Sequence, residues 1–221
     1  MDYVVGELMK MLDELKLADD TLVIFSSDNG PEVTSVVNMR KTHKHDGARP
    51  WRGMKRDNWE GGHRVPMLAR WPGRIEPGSE TAQTVCLTDV MATCAAIVGT
   101  KLPNAAAEDS FDFLPVLLGK QGDESLREYT LHQTIRLALA IRRGQWKYLD
   151  HKGSGGNNYT RPYLKPYILP NNAPAAPGQL YNLKTDPGET TNLYFKHPEI
   201  VRELKAKLEM FKKTGRSAPK R

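Results

Sequence analysis

Cysteine is almost absent: the 221 residues include only Cys86 and Cys94. That excludes a disulfide-stapled scaffold and a cysteine-based zinc site, which need recognisable sets of cysteines. The helix-compatible residues between the two hold them too far apart to bridge. Both therefore read as small apolar core residues, with Cys94 inside a helix expected over Asp89 to Val98. Long hydrophobic runs are also missing, and none approaches the ~18 residues of a membrane span. No basic segment leads into an apolar one at the start, so no export signal is visible. Paired Cys/His zinc spacings and aromatic ribonucleoprotein strands are lacking as well, which leaves no nucleic-acid motif. No internal repeat is apparent.

What is present is charge, loop chemistry and a few short periodic segments. Lys and Arg number 32 against 26 Asp and Glu, a net +6, with the surplus at Arg40 to Arg56 and at Lys212 to Arg221. Such a surplus suits anionic partners such as phosphate or sulfated sugar, although the tail also reads as a solvated, frayed end. The 18 glycines and 15 prolines cluster in loops. The length suffices for one good core or somewhat more.

The chain is organised around Thr21-Leu22-Val23-Ile24-Phe25-Ser26-Ser27-Asp28-Asn29-Gly30-Pro31. Its first part reads as a strand buried on both faces, and its end as a turn. In an open α/β sheet, ligands bind beyond the carboxyl ends of strands. Asp28 and Asn29 would then offer oxygen ligands to a hard cation; the alternative is an ordinary Asx turn. Before this strand, Met1 to Leu17 has an acidic amphipathic helical pattern.

After it, Pro31 to Asp57 reads as a long polar loop in which His43 and His45 could pair on a metal or stand as solvated groups. The densest block follows: Trp51-Arg52-Gly53-Met54-Lys55-Arg56-Asp57-Asn58-Trp59-Glu60-Gly61-Gly62-His63-Arg64-Val65-Pro66. Glycines permit close backbone approach and tryptophans pack a loop down. Val65 to Trp71 reads as a strand, and Leu114 to Leu118 as a short apolar segment. Arg136 to Arg142 and Gln145 to Leu149 read as a hairpin through Arg143-Gly144. His151 to Gly178 is a long loop, Gln179 to Leu183 a last strand, and Pro198 to Lys212 an amphipathic helix with proline in its first turn.

Several blocks in order resemble the sulfatase family, most closely its arylsulfatase-like members within the alkaline phosphatase superfamily. They are Ser27-Asp28-Asn29-Gly30-Pro31, Arg52-Gly53-Met54-Lys55, Glu60-Gly61-Gly62-His63-Arg64-Val65-Pro66 and Trp71-Pro72-Gly73. Leu180-Tyr181-Asn182-Leu183, Asp186-Pro187-Gly188-Glu189 and Asn192-Leu193 complete the set. The resemblance covers nearly the whole chain but only the C-terminal portion of a typical member. It implies an α/β fold: part of a mixed-sheet sulfatase domain over 1–122, and a small antiparallel-sheet subdomain with a terminal helix over 123–221.

The resemblance further implies a sulfuric ester hydrolase in which Asp28 and Asn29 bind Ca2+ and Lys55 contacts the substrate sulfate. Glu60, Gly61, Gly62 and Arg64 are then scaffolding, and His63 is variable packing. Substrates would be sulfated small molecules or sulfated polysaccharides, in a periplasmic or secreted setting. The family nucleophile, a formylglycine from a Cys/Ser-x-Pro-x-Arg motif, is expected in an N-terminal part not in this chain. Cys86 and Cys94 do not fit that motif. Ser217-Ala218-Pro219-Lys220-Arg221 fits the bare pattern but lacks a following helix, and is read as coincidence. The chain is therefore expected to be inactive alone unless a complementing N-terminal half joins it. Two other readings stay open: a phosphodiesterase or phosphonate hydrolase of the same superfamily, and a non-catalytic remnant that holds sulfated glycans through Arg40 to Arg56.

Overall fold

The computed structural model describes residues 1–220. In chain order, α1 spans Asp2–Glu14, β1 Val23–Ser26, α2 Val33–His43, β2 Met67–Arg70, α3 Val90–Ile97 and α4 Leu114–Leu117. There follow β3 Thr130–Gln133, β4 Leu139–Arg143, β5 Trp146–Leu149, β6 Gln179–Asn182 and α5 Pro198–Thr214. The result is a mixed α/β fold with antiparallel sheets and a C-terminal helix. None of the described helices is long and apolar enough to cross a membrane. The residues sort into two compact units that interleave in sequence. One holds 1–27 and 66–127 with Lys220; the other holds 28–65 and 128–219. The segment carrying the Asp-Asn-Gly turn and the glycine-tryptophan block thus belongs with the C-terminal sheet, a grouping that linear order does not reveal.

In the first unit, β1 pairs antiparallel with β2, Val23 opposite Arg70 and Ser26 opposite Met67. The expectation of a strand buried on both faces is corrected: β1 is half-buried throughout, since β2 is its one strand partner among the described residues. α1 buries none of its residues, and Tyr3, Val4, Leu8 and Met11 are exposed. α3 is anchored by the buried Asp89, whose carboxylate accepts the Cys86 N–H at 2.7 Å and the Phe111 N–H at 2.9 Å and pairs with Arg127. Ala92, Thr93 and Ala95 are its buried residues, so Cys94 is exposed and Cys86 half-buried. The reading of both cysteines as core is corrected accordingly.

In the second unit, the expected polar loop over Pro31 to Asp57 contains α2. Its start is fixed by Glu32, whose side chain accepts the Val33 N–H at 2.9 Å, an N-cap that offsets the β-branched content behind it. Lys44 ends the helix in the left-handed conformation. The four-stranded sheet runs β3-β4-β5-β6, all antiparallel. The expected hairpin forms with its turn shifted by one residue: Arg143 still pairs with Trp146, and Gly144-Gln145 make the turn instead of Arg143-Gly144. β3 was not anticipated.

Strand alternation gives this sheet two working faces. Ile141, Tyr148 and Leu180 pack against Val201, Leu204, Leu208 and Phe211, the apolar stripe of α5. Ala140, Leu149 and Tyr181 pack with Trp59 of the glycine-tryptophan block. α5 starts with Pro198 and stops at Gly215, whose φ of 67° closes the helix. Because Leu204 is fully buried, Leu204→Ala is expected to lower unfolding stability by about 2–5 kcal/mol. Met210→Ala on the exposed side of α5 should stay within about 0.5 kcal/mol. Urea denaturation checks both.

Candidate active site

Asp28, Asn29 and Lys55 are presented by two turns that are bonded to each other. The Gly30 N–H donates to the Gly62 carbonyl at 3.0 Å, and the Lys55 N–H donates to the Pro31 carbonyl at 3.0 Å. These bonds require close backbone approach. A Cβ on Gly30 would lie 1.9 Å from the Gly61 carbonyl oxygen, and one on Gly62 would lie 2.0 Å from the Asp57 carbonyl oxygen. Glycine is needed at both for space alone, since neither has a positive φ.

Lys55 sits in a tight turn in which the Asp57 N–H donates to the Met54 carbonyl at 3.0 Å. The buried Asp57 carboxylate accepts from the Met54 N–H at 3.0 Å, from Tyr159 Oη at 2.6 Å and from Asn157 Nδ2 at 2.8 Å. Burial pushes the Asp57 carboxyl above its usual range despite these donors. Asn157 Nδ2 also donates to the Lys55 carbonyl at 2.8 Å, tying the long loop to the lysine turn. Lys55 itself is 34% exposed, with Nζ 3.6 Å from Glu32. Arg56 takes the same carboxylate in a two-point fork at 2.9 and 3.0 Å, and these hydrogen bonds hold Glu32 below its usual range.

The Asp28 carboxylate is exposed and makes no hydrogen bond or ion pair among the described residues. Asn29 Nδ2 donates to the Gly30 carbonyl at 2.9 Å, which assigns Oδ1 as the atom of that side chain able to ligate. An unpaired carboxylate beside an amide oxygen is the donor chemistry of Ca2+, and it fits as two members of a larger shell. No group of three or more metal-ligating His, Cys, Asp or Glu side chains occurs among the described residues, so His43 and His45 belong to none.

Beneath the glycine loop lies a buried charge cluster that the sequence reading missed. Lys147 Nζ, fully buried on β5, is 2.9 Å from Glu60 Oε1 and 3.1 Å from Glu189 Oε1. Glu189 Oε2 accepts the Glu60 N–H at 2.6 Å, and Arg64 Nη1 donates to Glu60 Oε2 at 3.2 Å. Burial pushes both carboxyls up. At Glu60 the nearby Lys147, His132 and Arg142 outweigh it and hold the group below its usual range. At Glu189 burial prevails and the group stays raised. Glu189 holds this place with a left-handed φ of 50°. His63 stacks on His132 at 3.6 Å, and its Nε2 lies 3.1 Å from Lys147 Nζ. The same nitrogen lies 3.3 Å from the Asn58 carbonyl, and the closer ammonium, which only donates, favours the neutral ring with that nitrogen as acceptor. Burial, then the neighbouring His132 and Lys147 charges, hold His63 well below its usual 6.5. Glu60, Gly61, Gly62 and Arg64 are the scaffolding expected of them. His63 packs within the same cluster.

Both tryptophans pack the block down. Arg64 lies 3.7 Å over the Trp51 ring and Arg52 3.6 Å over the Trp59 ring. At the tail, Ser217 follows α5, Ala218 is buried, and the Arg216 side chain donates to the Ala218 and Pro219 carbonyls. Arg221 of the bare Ser-x-Pro-x-Arg match lies outside the described residues.

Comparison with known proteins gives this arrangement a lineage. The Sulfatase family model matches residues 1–100. An N-acetylgalactosamine-6-O-sulfatase of Bacteroides thetaiotaomicron is 37% identical over 215 residues, which cover 96% of this chain and 40% of that protein. The chain belongs to the sulfatase family. Human arylsulfatase A is 36% identical to this chain over 214 residues, covering 93% of it and 40% of the human protein. A solved structure concerned with glycosaminoglycan metabolism by Bacteroides thetaiotaomicron superposes with a TM-score of 0.80 at 36% identity, over 96% of this chain and 43% of that one. Ps i-CgsB in complex with k-i-k-neocarrahexaose superposes with a TM-score of 0.69 at 25% identity, over 95% and 40%. The chain thus spans about two fifths of the length of each of these two curated relatives.

Two outcomes follow from this geometry. Gly30→Ala drives a methyl into the Gly61 carbonyl and is expected to cost about 1–3 kcal/mol. Gly6→Ala in α1, where a Cβ meets nothing within 4 Å, should instead gain about 0.5–1 kcal/mol. Thermal and urea unfolding distinguish them. The second outcome concerns pH. The unfolded chain takes up a proton near the usual histidine value that the folded His63 ring refuses, so His63 makes stability fall as pH drops below about 6.5. Glu189, raised in the folded state, contributes the opposite slope. His63→Gln should therefore remove up to about 1.4 kcal/mol per pH unit of the rise in stability between pH 5 and 6.5, read from urea midpoints across that range.

Proposed function

We propose that this chain carries part of the site of a calcium-dependent sulfuric ester hydrolase. Lys55 contacts the substrate sulfate, and Asp28 and Asn29 supply two of the calcium ligands. The observation that carries this reading is the pair of backbone bonds, Gly30 to Gly62 and Pro31 to Lys55, which hold the cation turn and the lysine turn as one piece. Calcium, when bound, supplies Lewis-acid polarisation of a sulfuryl oxygen. Lys55 supplies a positive charge that needs no reorganisation as charge grows on the sulfate oxygens, because Asp57 and Asn157 fix its turn. Glu32, itself held by the two-point Arg56 fork, stands 3.6 Å from the lysine Nζ and aims it.

Two ligands do not fill the six to eight oxygen positions calcium takes, and the formylglycine nucleophile has no counterpart at Cys86, Cys94 or Ser217. The full activity in this reading requires a complementing sulfatase segment, and the exposed apolar side of α1 offers surface for it. The 1–122 and 123–221 domain division belongs to the same proposal. Sulfated glycans are the favoured substrate class, since a relative at 37% identity is named an N-acetylgalactosamine-6-O-sulfatase.

The remnant reading, with Arg40 to Arg56 as a glycan-holding surface, has less support. Arg40 and Arg49 pair with Asp46, and Arg56 with Glu32, so much of that charge is already neutralised. The purified chain with Ca2+ is expected not to turn over 4-nitrophenyl sulfate, and turnover there would overturn its dependence on a complementing segment. In an active assembly, Lys55→Ala should lower kcat/KM by about 10²–10³. Faster cleavage of 4-nitrophenyl phosphate than of the sulfate would transfer the assignment to a phosphoryl hydrolase.

A further inference from the structure

On the side of the Arg52–Trp59 segment lined by the long loop lies a cavity of about 260 Å³. Its size sits near the lower end for small-molecule sites, about 300–1,000 Å³, which suits one ring rather than an extended ligand. The base is rigid. Gln179 Oε1 accepts from Trp59 Nε1 at 3.2 Å and from Tyr181 Oη at 2.7 Å, while Gln179 Nε2 donates to the carbonyls of His151 and Gly153. Tyr159 and Tyr167 add aromatic surface, and Asn171 adds an amide at the exposed rim.

The charge around this cavity is one-sided. Arg52 and Lys152 line it, and no Asp or Glu does. Arg52 Nη1 donates to the Tyr181 hydroxyl at 3.2 Å and the Glu189 carbonyl at 2.8 Å, both neutral acceptors. Its guanidinium has no carboxylate partner among the described residues, whereas Arg40, Arg49 and Arg56 of the same stretch each have one. Nε and Nη2 of Arg52 are neither hydrogen-bonded nor sealed from solvent among the described residues. Lys152 likewise meets a neutral group, the Pro174 carbonyl at 3.2 Å. A guanidinium with a free fork is suited to planar or tetrahedral oxyanions, and aromatic faces beside amides suit the mixed surface of a sugar.

We infer that this cavity binds an anionic sugar ring, sulfated or carboxylated, with Arg52 and Lys152 on the anion and the tyrosines against the ring. The sugar half of the inference rests on the glycan reading of the function; the anion half rests on the unpaired Arg52. The test uses galactose 6-sulfate as probe, with galactose and inorganic sulfate as controls, titrated by calorimetry into the full chain. Galactose 6-sulfate should bind at least about tenfold more tightly than either control. Lys152→Glu, an exposed charge reversal that spares the packed base, should weaken it by about tenfold or more. Arg52→Lys, which loses the fork, should do the same, and Lys184→Ala, exposed and outside the cavity lining, should leave it unchanged. Undetectable binding, sulfate binding as tightly as the sugar, or binding lost in Lys55→Ala but kept in Lys152→Glu each overturns the inference. The readout is binding and not hydrolysis. A chain without turnover that still shows Lys152-sensitive binding supports the cavity while leaving the sulfatase assignment to its own assay.

Discussion

Lys147 is the interaction on which the second unit depends. One buried ammonium stands between two buried carboxylates, Glu60 and Glu189, from two segments far apart in sequence. An unpaired charge in such a place is strongly destabilising, whereas the complete set is self-consistent. The strand, the glycine loop and the Asp-Pro-Gly-Glu turn must therefore arrive together. Arg64 and Arg142 close on the outer oxygen of Glu60, so its carboxylate is matched on both sides. The position of Gly62, and through it that of the Asp28-Asn29 turn, is set by this electrostatic lock.

Short-range features of the fold were readable because they are written in short-range chemistry. Pro198 and the stripe from Val201 to Phe211 define α5, and Gly144 marks the hairpin turn. α2 was hidden because Val33, Thr34, Val36 and Val37 are weak helix formers, and the signal that sustains it is a single cap at Glu32. β3 was hidden because Thr130 to Gln133 is too short to show alternation. The site divides in the same way. Asp28, Asn29 and Lys55 stand in dense motifs, and their grouping followed from a resemblance. Lys147 looks like any solvated strand lysine, and Glu189 like a turn residue. Only the period-2 alternation that puts Lys147 on the face shared with Ala140, Leu149 and Tyr181 hinted at burial.

The long loop from His151 to Gly178 is less independent of the site than its composition implies. Asn157 bonds to the Lys55 carbonyl and to Asp57, and Tyr159 bonds to the same carboxylate. The Lys55 turn is therefore supported from below by residues of a segment without regular strand structure. A site held in this way is rigid at its charged tip and adjustable at its margin.

Glu189 has a consequence for anyone redesigning this protein. A non-glycine residue at φ 50° invites replacement by glycine, which adopts that conformation without steric penalty. Judged on backbone geometry alone, the exchange looks like a relief of strain. It would also delete one of the two carboxylates on Lys147 and the acceptor for the Glu60 N–H, leaving the cation with half of its counter-charge and the amide without a partner in the protein interior. A design procedure that scores torsions residue by residue would thus select a substitution that unseats the glycine loop 129 residues away, about 400 Å of contour length at roughly 3.3 Å per residue.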